Sequence, residues 1–295
     1  MPSIKSSLTL VIKMIFTSII KAGDLNCTTG LNDDNKTYPL TDRYFAHPNF
    51  TEGTKSILGM LKTAKPDMYS SATDTFEFDL NWVFPHGDTQ DYFNDIVNYV
   101  NQLFKKDNFP VSFKSNATSL RFSNLIVYAN NDTTHEEVYN KWGVKSRTTI
   151  NLFLAESIPD ASGTIGWASI PGFFDKWDGI FMDGSRSYTP KDHMETIAHE
   201  FGHFLGLYHT FQGGCSGDGD YVTDTVPADD KVRQGESFGW KCDSKQNTCG
   251  ITGKYDMVEN IMDYTNCGTT FTDEQKFRMM NYVYHRATGD FPKIQ

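Results

Sequence analysis

The sequence lacks a surplus of basic residues. Its 295 residues include 27 Lys and Arg against 37 Asp and Glu, so the formal net charge is −10. Nucleic-acid binding through a basic surface is therefore not expected. The sequence also lacks internal repeats and low-complexity runs, and its 38% hydrophobic and 22% charged residues are typical of a globular protein.

Long hydrophobic runs are absent too, and a membrane span needs about 20 consecutive apolar residues. The candidate in residues 1–22 is interrupted by Lys13. Lys5 before its apolar stretch and the small residues Ala22 and Gly23 after it are typical of a secretory signal peptide. An amphipathic N-terminal helix is the alternative. We predict a signal peptide over residues 1–22 and a secreted, extracellular protein without a membrane span.

Cysteine is scarce, with five residues, and no two of them have the CxxC spacing. A structural zinc site made of four thiolates is therefore disfavoured. Four cysteines occur late in the chain, where long apolar runs are few, and disulfide bonds would stabilise such a segment in an oxidising compartment. Four cysteines allow three connectivities. These four are Cys215, Cys242, Cys249 and Cys267, and Cys27 is left over.

Five Asn-X-Thr sequons provide a second indication of secretion, because such sites accept N-linked glycans in secreted proteins. All five precede residue 135, and the rest of the chain has none. We therefore predict a glycoprotein. The sequon asparagines are Asn26, Asn35, Asn49, Asn116 and Asn131.

The periodicity of apolar residues divides the chain into parts. Residues 23–72 are polar and rich in turn-forming residues, and we interpret them as an N-terminal extension or pro-segment. Residues 73–295 form the predicted main domain, with an upper part over 73–209 and a lower part over 210–295. Strands are predicted at 75–84, 119–129, 148–156, 164–172 and 178–183, and helices at 88–106, around 192–207 and at 271–287. Thr272 and Gln275 form the expected capping box of the last helix.

The segment HEFGHFLGLYH, residues 199–209, contains three histidines in a fixed spacing. His199 and His203 are one helical turn apart, so their imidazoles leave the same face of a helix. Gly206 can adopt the left-handed conformation that ends a helix, so that His209 can return to the same point. Three neutral imidazoles with a fourth position open to water are typical of a catalytic zinc site.

Glu200 follows the first of these histidines and is the expected general base, because it would lie beside the attacking water. Asp192 is the expected N-cap of the helix, with Glu195 three residues later. The remaining histidines lack partners in a ligand spacing. We expect His193 in the first helical turn, and His47, His86, His135 and His285 either at the surface or as partners of other site residues.

The complete HExxHxxGxxH motif is similar to the signature of metzincin zinc endopeptidases. The segments HTFQGGC (209–215), GDYVTDTVPAD (219–229) and NIMDY (260–264) resemble the pappalysin family, in particular its secreted microbial members. The resemblance covers roughly residues 75–290. Thr210 after the third histidine is unlike the astacin, matrixin and reprolysin families.

The resemblance implies an α+β fold. Its upper subdomain would hold a twisted mixed β-sheet, a backing helix and the active-site helix. Its lower subdomain would be irregular, with the Met-turn, the disulfides and a C-terminal helix. Met262 would form the Met-turn beneath the zinc ligands, and Tyr264 would donate a hydrogen bond to the oxyanion.

The resemblance carries further expectations about ligands and substrate. Trp167 and Ala168 on the edge strand would contact an extended substrate. The disulfides would be Cys215–Cys249 and Cys242–Cys267, and Cys27 is either a free thiol or a latency ligand. A calcium ion is expected near the cleft, and its possible ligands are Asp218, Asp220 and Asp224.

Some relatives place an aspartate shortly after the Met-turn, where it selects a basic residue in the substrate. In this sequence Asn266 occupies that region. The preference of those relatives for basic residues is therefore not carried over to this chain.

Together these observations predict a monomeric, secreted zinc-dependent metalloendopeptidase, with protein or peptide substrates and no nucleic-acid partner. Three alternatives share the same residues. They are a catalytically silent zinc-scaffold binding protein, a narrow-specificity processing protease, and a zinc hydrolase of non-peptide amides. The first would be marked by loss of the glutamate, which is present as Glu200.

Overall fold

The structure is a computed structural model, and everything below concerns the residues it describes. They are 27–30, 60–61, 75–84, 90–106, 108–115, 121–122, 125–128, 131–159, 165–169, 176–184, 190–216, 219–230 and 242–289. The predicted signal peptide and the sequons at Asn26, Asn35, Asn49 and Asn116 lie outside these residues.

The strands form one mixed sheet in the order β1-β6-β7-β5-β2-β3, with β4 paired to the end of β2. Strands β3, β2, β5 and β7 are parallel to one another, whereas β6 is antiparallel to β7 and parallel to β1. The strands are β1 (Cys27–Gly30), β2 (Phe76–Phe84), β3 (Val111–Ser115), β4 (Arg121–Phe122), β5 (Thr149–Ala155), β6 (Gly166–Ser169) and β7 (Ile180–Asp183).

The described helices of this sheet region are α1 (Gln90–Lys106), α2 (Asp132–Trp142) and α3 (Pro190–Phe204), and α4 (Asp273–Thr288) follows near the end of the chain. Helices α1 and α3 cover one face of the sheet, and their apolar residues share a core with α4. A second, smaller core lies around Trp167, Trp177 and Phe181, between the sheet and α2. No described helix is long and apolar enough to cross a membrane.

In its described residues, the segment between α3 and α4 contains turns and one isolated bridge, between Asn260 and Thr270, rather than regular strands, and two disulfides hold it. The predicted α+β fold, with a mixed sheet above and an irregular part below, is therefore confirmed. The capping box of Thr272 and Gln275 is also present at the start of α4.

Several details differ from the sequence predictions. Strands β1 and β3 and helix α2 were not predicted, because each is short and its apolar residues show no clear period. Of the predicted strand 119–129, the structure has only β4 and a bridge at Ile126. Helix α3 begins at Pro190, where proline suits the first helical turn, so the prediction of Asp192 as N-cap was wrong.

His135 was not expected in the interior, yet it is buried in the smaller core. Its ring lies about 5 Å from the rings of Trp167, Trp177 and Phe181. A lone histidine on a short polar helix gives no sequence signal of this burial, because the aromatic residues around it come from β6, from β7 and from the residues just before β7.

Candidate metal centre

The end of helix α3 positions the three motif histidines. His199 and His203 lie one turn apart on this helix, and the helix ends at Phe204. Gly206 has φ +96°, a left-handed value that favours glycine, and the Leu207 amide donates to the Gly202 carbonyl. The chain then turns back, so that His209 faces the two helical histidines.

The structure brings one ring nitrogen of each histidine to within 4.8 Å of those of the other two. The Nε2 atoms of His203 and His209 are 3.0 Å apart. Two nitrogen ligands of a tetrahedral zinc are separated by about 3.3 Å, given metal–nitrogen distances near 2.0–2.1 Å. The donor set therefore fits zinc, since three imidazoles and an open fourth position suit this ion.

Backbone carbonyls fix the orientation of two of the rings. Nδ1 of His199 lies 2.6 Å from the Ile261 carbonyl oxygen, and Nδ1 of His203 lies 2.8 Å from that of Leu207. Because a carbonyl only accepts, each Nδ1 carries the proton and donates it. Each Nε2 is then left as the unprotonated nitrogen that a metal requires.

Burial keeps these imidazoles neutral. Desolvation lowers the pKa of His199 to about 4, although its hydrogen bond to Ile261 acts in the opposite direction. Burial also holds the pKa values of His203 and His209 well below their ordinary range, and the neighbouring histidines add to this effect. Neutral imidazoles bind metal without first losing a proton.

Glu200 is fully buried and lies next to strand β6. A Cβ added to Gly166 would lie 3.0 Å from Oε1 of Glu200 and 3.2 Å from a methyl group of Thr196. The absence of a side chain at Gly166 thus allows β6 to approach the glutamate. Glu200 follows the first histidine on α3, and its carboxylate lies between the helix and strand β6.

Met262 packs directly beneath the helix that carries the histidines, and it is fully buried. A Cβ added to Gly202 would lie only 2.2 Å from the Met262 sulfur. Glycine in the last turn of this helix is therefore required by the close approach of Met262. The Met262 carbonyl accepts a hydrogen bond from the Thr210 amide, which ties this turn to the residue after His209.

Tyr264 is buried beside the histidines, with its ring centre 4.6 Å from that of His209 and 6.0 Å from that of His199. The Asp263 carboxylate accepts hydrogen bonds from the Thr210 hydroxyl at 3.0 Å and from the Tyr264 amide. These contacts hold the turn at Met262 against the chain after the third histidine.

Trp167 and Ala168 occupy β6, and both side chains are buried. The Trp167 ring stacks on Phe181 within the smaller core. One edge of β6 pairs with β7, and the other edge pairs in parallel with β1, where Cys27 is opposite Gly166. Contact between these two residues and a substrate therefore stays a prediction.

The aspartates of the predicted calcium site have other partners in the structure. Asp220 is buried, and its Oδ1 accepts hydrogen bonds from the Val222 amide and the Thr225 hydroxyl. Asp224 accepts a hydrogen bond from the Glu274 amide. Asp218 lies outside the described residues, so the calcium site stays a prediction.

Both disulfide bonds implied by the resemblance are present. Cys215 is joined to Cys249, and Cys242 is joined to Cys267. They connect loops within the segment between α3 and α4, which has little regular structure in its described residues.

Sequence reasoning missed four residues that shape this site. They are Gly166, Gly202, Asp263 and Arg278, whose Nε donates to the Gly206 carbonyl at 2.6 Å. A glycine inside a predicted helix was a usable signal at Gly202, since glycine weakens helices and needs a packing reason. The other three act through contacts between distant segments, for which the sequence gives no pattern.

Comparison with known proteins agrees with this geometry. Residues 150–284 match the model of a peptidase family, M43, described as pregnancy-associated plasma protein-A. The match includes the three histidines, Glu200, Met262 and Tyr264.

Fungal proteins named extracellular metalloprotease are similar to this chain over about as many residues as the family model matches. One from Sordaria macrospora is 45% identical over 145 residues, and one from Neurospora crassa is 35% identical over 145 residues; each alignment covers 45% of this chain and 47% of the relative. One from Pyricularia oryzae is 34% identical over 150 residues, covering 48% of this chain and 50% of the relative. The chain thus spans about half the length of the curated relatives it matches.

Among solved structures, myroilysin aligns with 74% of this chain and 97% of its own, at 13% identity and a TM-score of 0.31. We draw nothing from a likeness of this size.

Proposed function

Residues 150–284 match the model of a peptidase family, and we propose that they form a metallopeptidase domain of the pappalysin family and that the chain is a zinc-dependent endopeptidase. The observation that carries the proposal is the convergence of three buried, neutral imidazoles next to a buried glutamate. In this proposal His199, His203 and His209 hold the zinc ion. When bound, zinc supplies Lewis-acid chemistry that polarises a carbonyl and acidifies water.

The other site residues would provide the proton transfers and the charge stabilisation. Glu200 takes a proton from the attacking water and then passes it to the leaving amine, so that no covalent intermediate forms. Tyr264 donates a hydrogen bond to the oxygen on which negative charge develops. Met262 and the Asp263–Thr210 hydrogen bond keep the ligands and Tyr264 in place.

Replacement of the glutamate tests the proposal. Glu200→Gln keeps the shape of the side chain but removes the base, so we expect retained zinc and a roughly thousandfold lower rate of cleavage of an unfolded protein. Zinc content is measured by metal analysis and cleavage by gel and mass spectrometry. The matched control is Glu136→Gln on the exposed side of α2, which should cleave like the wild type.

The outcome also separates the alternatives. A zinc-loaded wild type that cleaves no protein would support the catalytically silent binding protein and contradict our proposal. Cleavage of a single sequence in a peptide library would support a narrow processing protease, and cleavage of many would support a broad one.

We also propose that the protein is secreted, and that residues 23–72 act as a pro-segment. The two disulfides and the extracellular relatives support secretion. Strand β1 pairs with β6, and Gly166 of β6 lies next to Glu200. This pairing supports a pro-segment, because it covers the edge of the strand beside the proposed base. N-terminal sequencing of the active protein should find a chain that begins near residue 73. Full activity with Cys27–Gly30 still attached would contradict this.

Glycosylation is best supported at Asn131, the one sequon asparagine among the described residues. Asn131 is the exposed N-cap of α2, and its Oδ1 accepts a hydrogen bond from the Thr133 amide. A glycan would attach to the amide nitrogen and leave this hydrogen bond intact. Mass spectrometry of the secreted protein after removal of its glycans would detect the conversion of Asn131 to aspartate.

A further inference from the structure

The three histidines of the metal centre are oriented in different ways. His199 and His203 each donate a hydrogen bond from Nδ1 to a backbone carbonyl, at 2.6 and 2.8 Å. A metal-binding histidine usually has such a partner, which fixes the direction of its ring. For the buried His209, no hydrogen bond to Nδ1 is found among the described residues. Its ring stacks on Phe211, but stacking is less directional than a hydrogen bond. The position of His209 therefore depends on how the chain around it is held.

Arg278 on α4 holds the turn that leads to His209. Its Nε donates a hydrogen bond to the Gly206 carbonyl at 2.6 Å. Carbonyls at the end of a helix have no partner within the helix and need one from elsewhere. The next carbonyl, that of Leu207, accepts a hydrogen bond from His203. Two successive carbonyls of this turn are thus fixed by side chains, one by a metal ligand and the other by Arg278.

A second contact of Arg278 reaches the residue directly before His209. The guanidinium carbon lies 5.2 Å from the centre of the Tyr208 ring. A cation over an aromatic ring at this distance is attracted by the ring, and the attraction is stronger where water is excluded. Both Arg278 and Tyr208 are buried. Arg278 thereby contacts the chain three residues before His209 and again one residue before it.

The charge of Arg278 is balanced by an acid of the lower part. Burial raises the pKa of Asp220 to about 7, and the charge of Arg278 is one of the effects that act in the opposite direction. Arginine stays charged at all pH values of interest, whereas Asp220 can take up a proton near neutral pH. Protonation of Asp220 therefore compensates for a loss of the Arg278 charge, and we expect a variant without this arginine to fold.

We propose that Arg278 is a positioning residue for the third metal ligand. It fixes the turn between Gly206 and His209, and so does for this ligand what hydrogen bonds to the ring do for His199 and His203. The inference rests on the zinc site of the proposed function and adds a residue from the end of the chain to it. The position of α4 thus determines how tightly the site binds metal.

Zinc affinity tests the proposal without relying on cleavage. Arg278→Met keeps an unbranched side chain but removes the donor, so the zinc dissociation constant should rise about tenfold, the usual cost of losing a group that orients a metal ligand. Arg278→Lys retains a positive charge and a donor, so it should recover part of the affinity. Competition with a fluorescent zinc chelator measures the constant, under conditions in which circular dichroism shows each variant to be folded.

Two other variants of α4 separate positioning from general stability. Arg286 is also a buried arginine, but its hydrogen bonds to Asp178 and the Thr149 carbonyl join α4 to the sheet near the starts of β7 and β5. Arg286→Met should lower stability and leave the zinc dissociation constant of the folded protein unchanged, and Lys276→Met should leave this constant unchanged as well. An unchanged constant in Arg278→Met, or an equal rise in Arg286→Met, would overturn the proposal.

Cleavage of an unfolded protein, measured on the same samples, keeps this inference apart from the proposed function. If Arg278→Met binds zinc more weakly as expected while the zinc-loaded wild type cleaves nothing, the proposed function fails and the inference stands. If the wild type cleaves while Arg278→Met binds zinc as tightly as the wild type does, the inference fails and the proposed function stands.

Discussion

The upper and lower parts of this protein are stabilised in different ways. In the upper part, β5 is buried along its whole length, and aromatic and aliphatic residues of β2, α1 and α3 form a continuous core. Between α3 and α4 the lower part has few buried apolar residues. Two disulfides and buried hydrogen bonds such as those between Asn260 and Gln275 hold it instead.

The metal centre lies where these two parts meet. The upper part supplies α3 with His199 and His203, and the lower part supplies the Ile261 carbonyl that orients His199 and the methionine beneath the helix. A rigid helix thus positions His199 and His203, while the irregular segment fixes the tautomer of His199. Damage to the upper part and damage to the lower part should therefore reach the site by different routes.

The largest expected effect comes from a buried ion pair that joins the two parts. Arg286 on α4 is fully buried and donates two hydrogen bonds to Asp178, at 2.9 and 2.7 Å, and another to the Thr149 carbonyl. Arg286→Met leaves Asp178 buried without its counter-charge, so we expect a loss of about 4 kcal/mol in the free energy of unfolding. Urea denaturation measures it.

The control for this prediction lies on the same helix. Lys276 forms an ion pair with Asp273, whose side chain is largely exposed, so Lys276→Met should change stability by less than about 1 kcal/mol. Equal losses of stability for Arg286→Met and Lys276→Met would show that the ion pair between Arg286 and Asp178 does not join the two parts.

Removal of a disulfide should affect the lower part alone. Replacing Cys215 and Cys249 by serine opens a loop with a sequence separation of 34, and we expect a loss of about 3 kcal/mol. In hydrogen exchange, amides of the segment between α3 and α4 should exchange faster, whereas those of β2 and β5 stay protected under native conditions. Faster exchange throughout the sheet would contradict the division into two parts.

Gly202→Ala tests the contact between the parts directly. Alanine usually stabilises a helix by about 1 kcal/mol over glycine. Here its Cβ would meet the Met262 sulfur at 2.2 Å, so we expect a net loss of about 2 kcal/mol and weaker zinc binding. Adding Met262→Ala removes the obstructing sulfur, so Gly202→Ala should cost much less in that background; a full cost there would rule out this contact as the cause.

The smallest expected effect concerns Asp220 and pH. Burial raises the pKa of Asp220 from 3.8 to about 7. The folded state binds the proton of Asp220 more tightly than the unfolded state does. The protonated carboxyl therefore makes its full contribution to stability below about pH 4, and this contribution is lost as the pH rises toward 7. Asp220→Asn should therefore raise the melting temperature more at pH 8 than at pH 5, with zinc present and calcium absent.

The same variant tests the predicted calcium site. If Asp220 binds calcium, the added ion should raise the melting temperature of the wild type at pH 8 but not that of Asp220→Asn. A lower melting temperature of the variant at pH 8 without calcium would contradict the role of burial.

The sequence alone determined the parts of this protein that depend on local spacing. The offsets of His199, His203, Gly206 and His209 follow from helical geometry and one left-handed residue, so they could be predicted with the α+β fold and the capping box of α4. The long amphipathic helix α1 was predicted to within two residues at its start, because its apolar period is strong.

Only the tertiary structure decided which distant side chains share a space. It placed Gly166 against Glu200 and Met262 against Gly202. It also buried His135 among aromatic rings and added β1 to the edge of the sheet. The physical reason is that local patterns fix the direction of a side chain from its own helix or strand, whereas packing of the whole chain fixes what lies opposite.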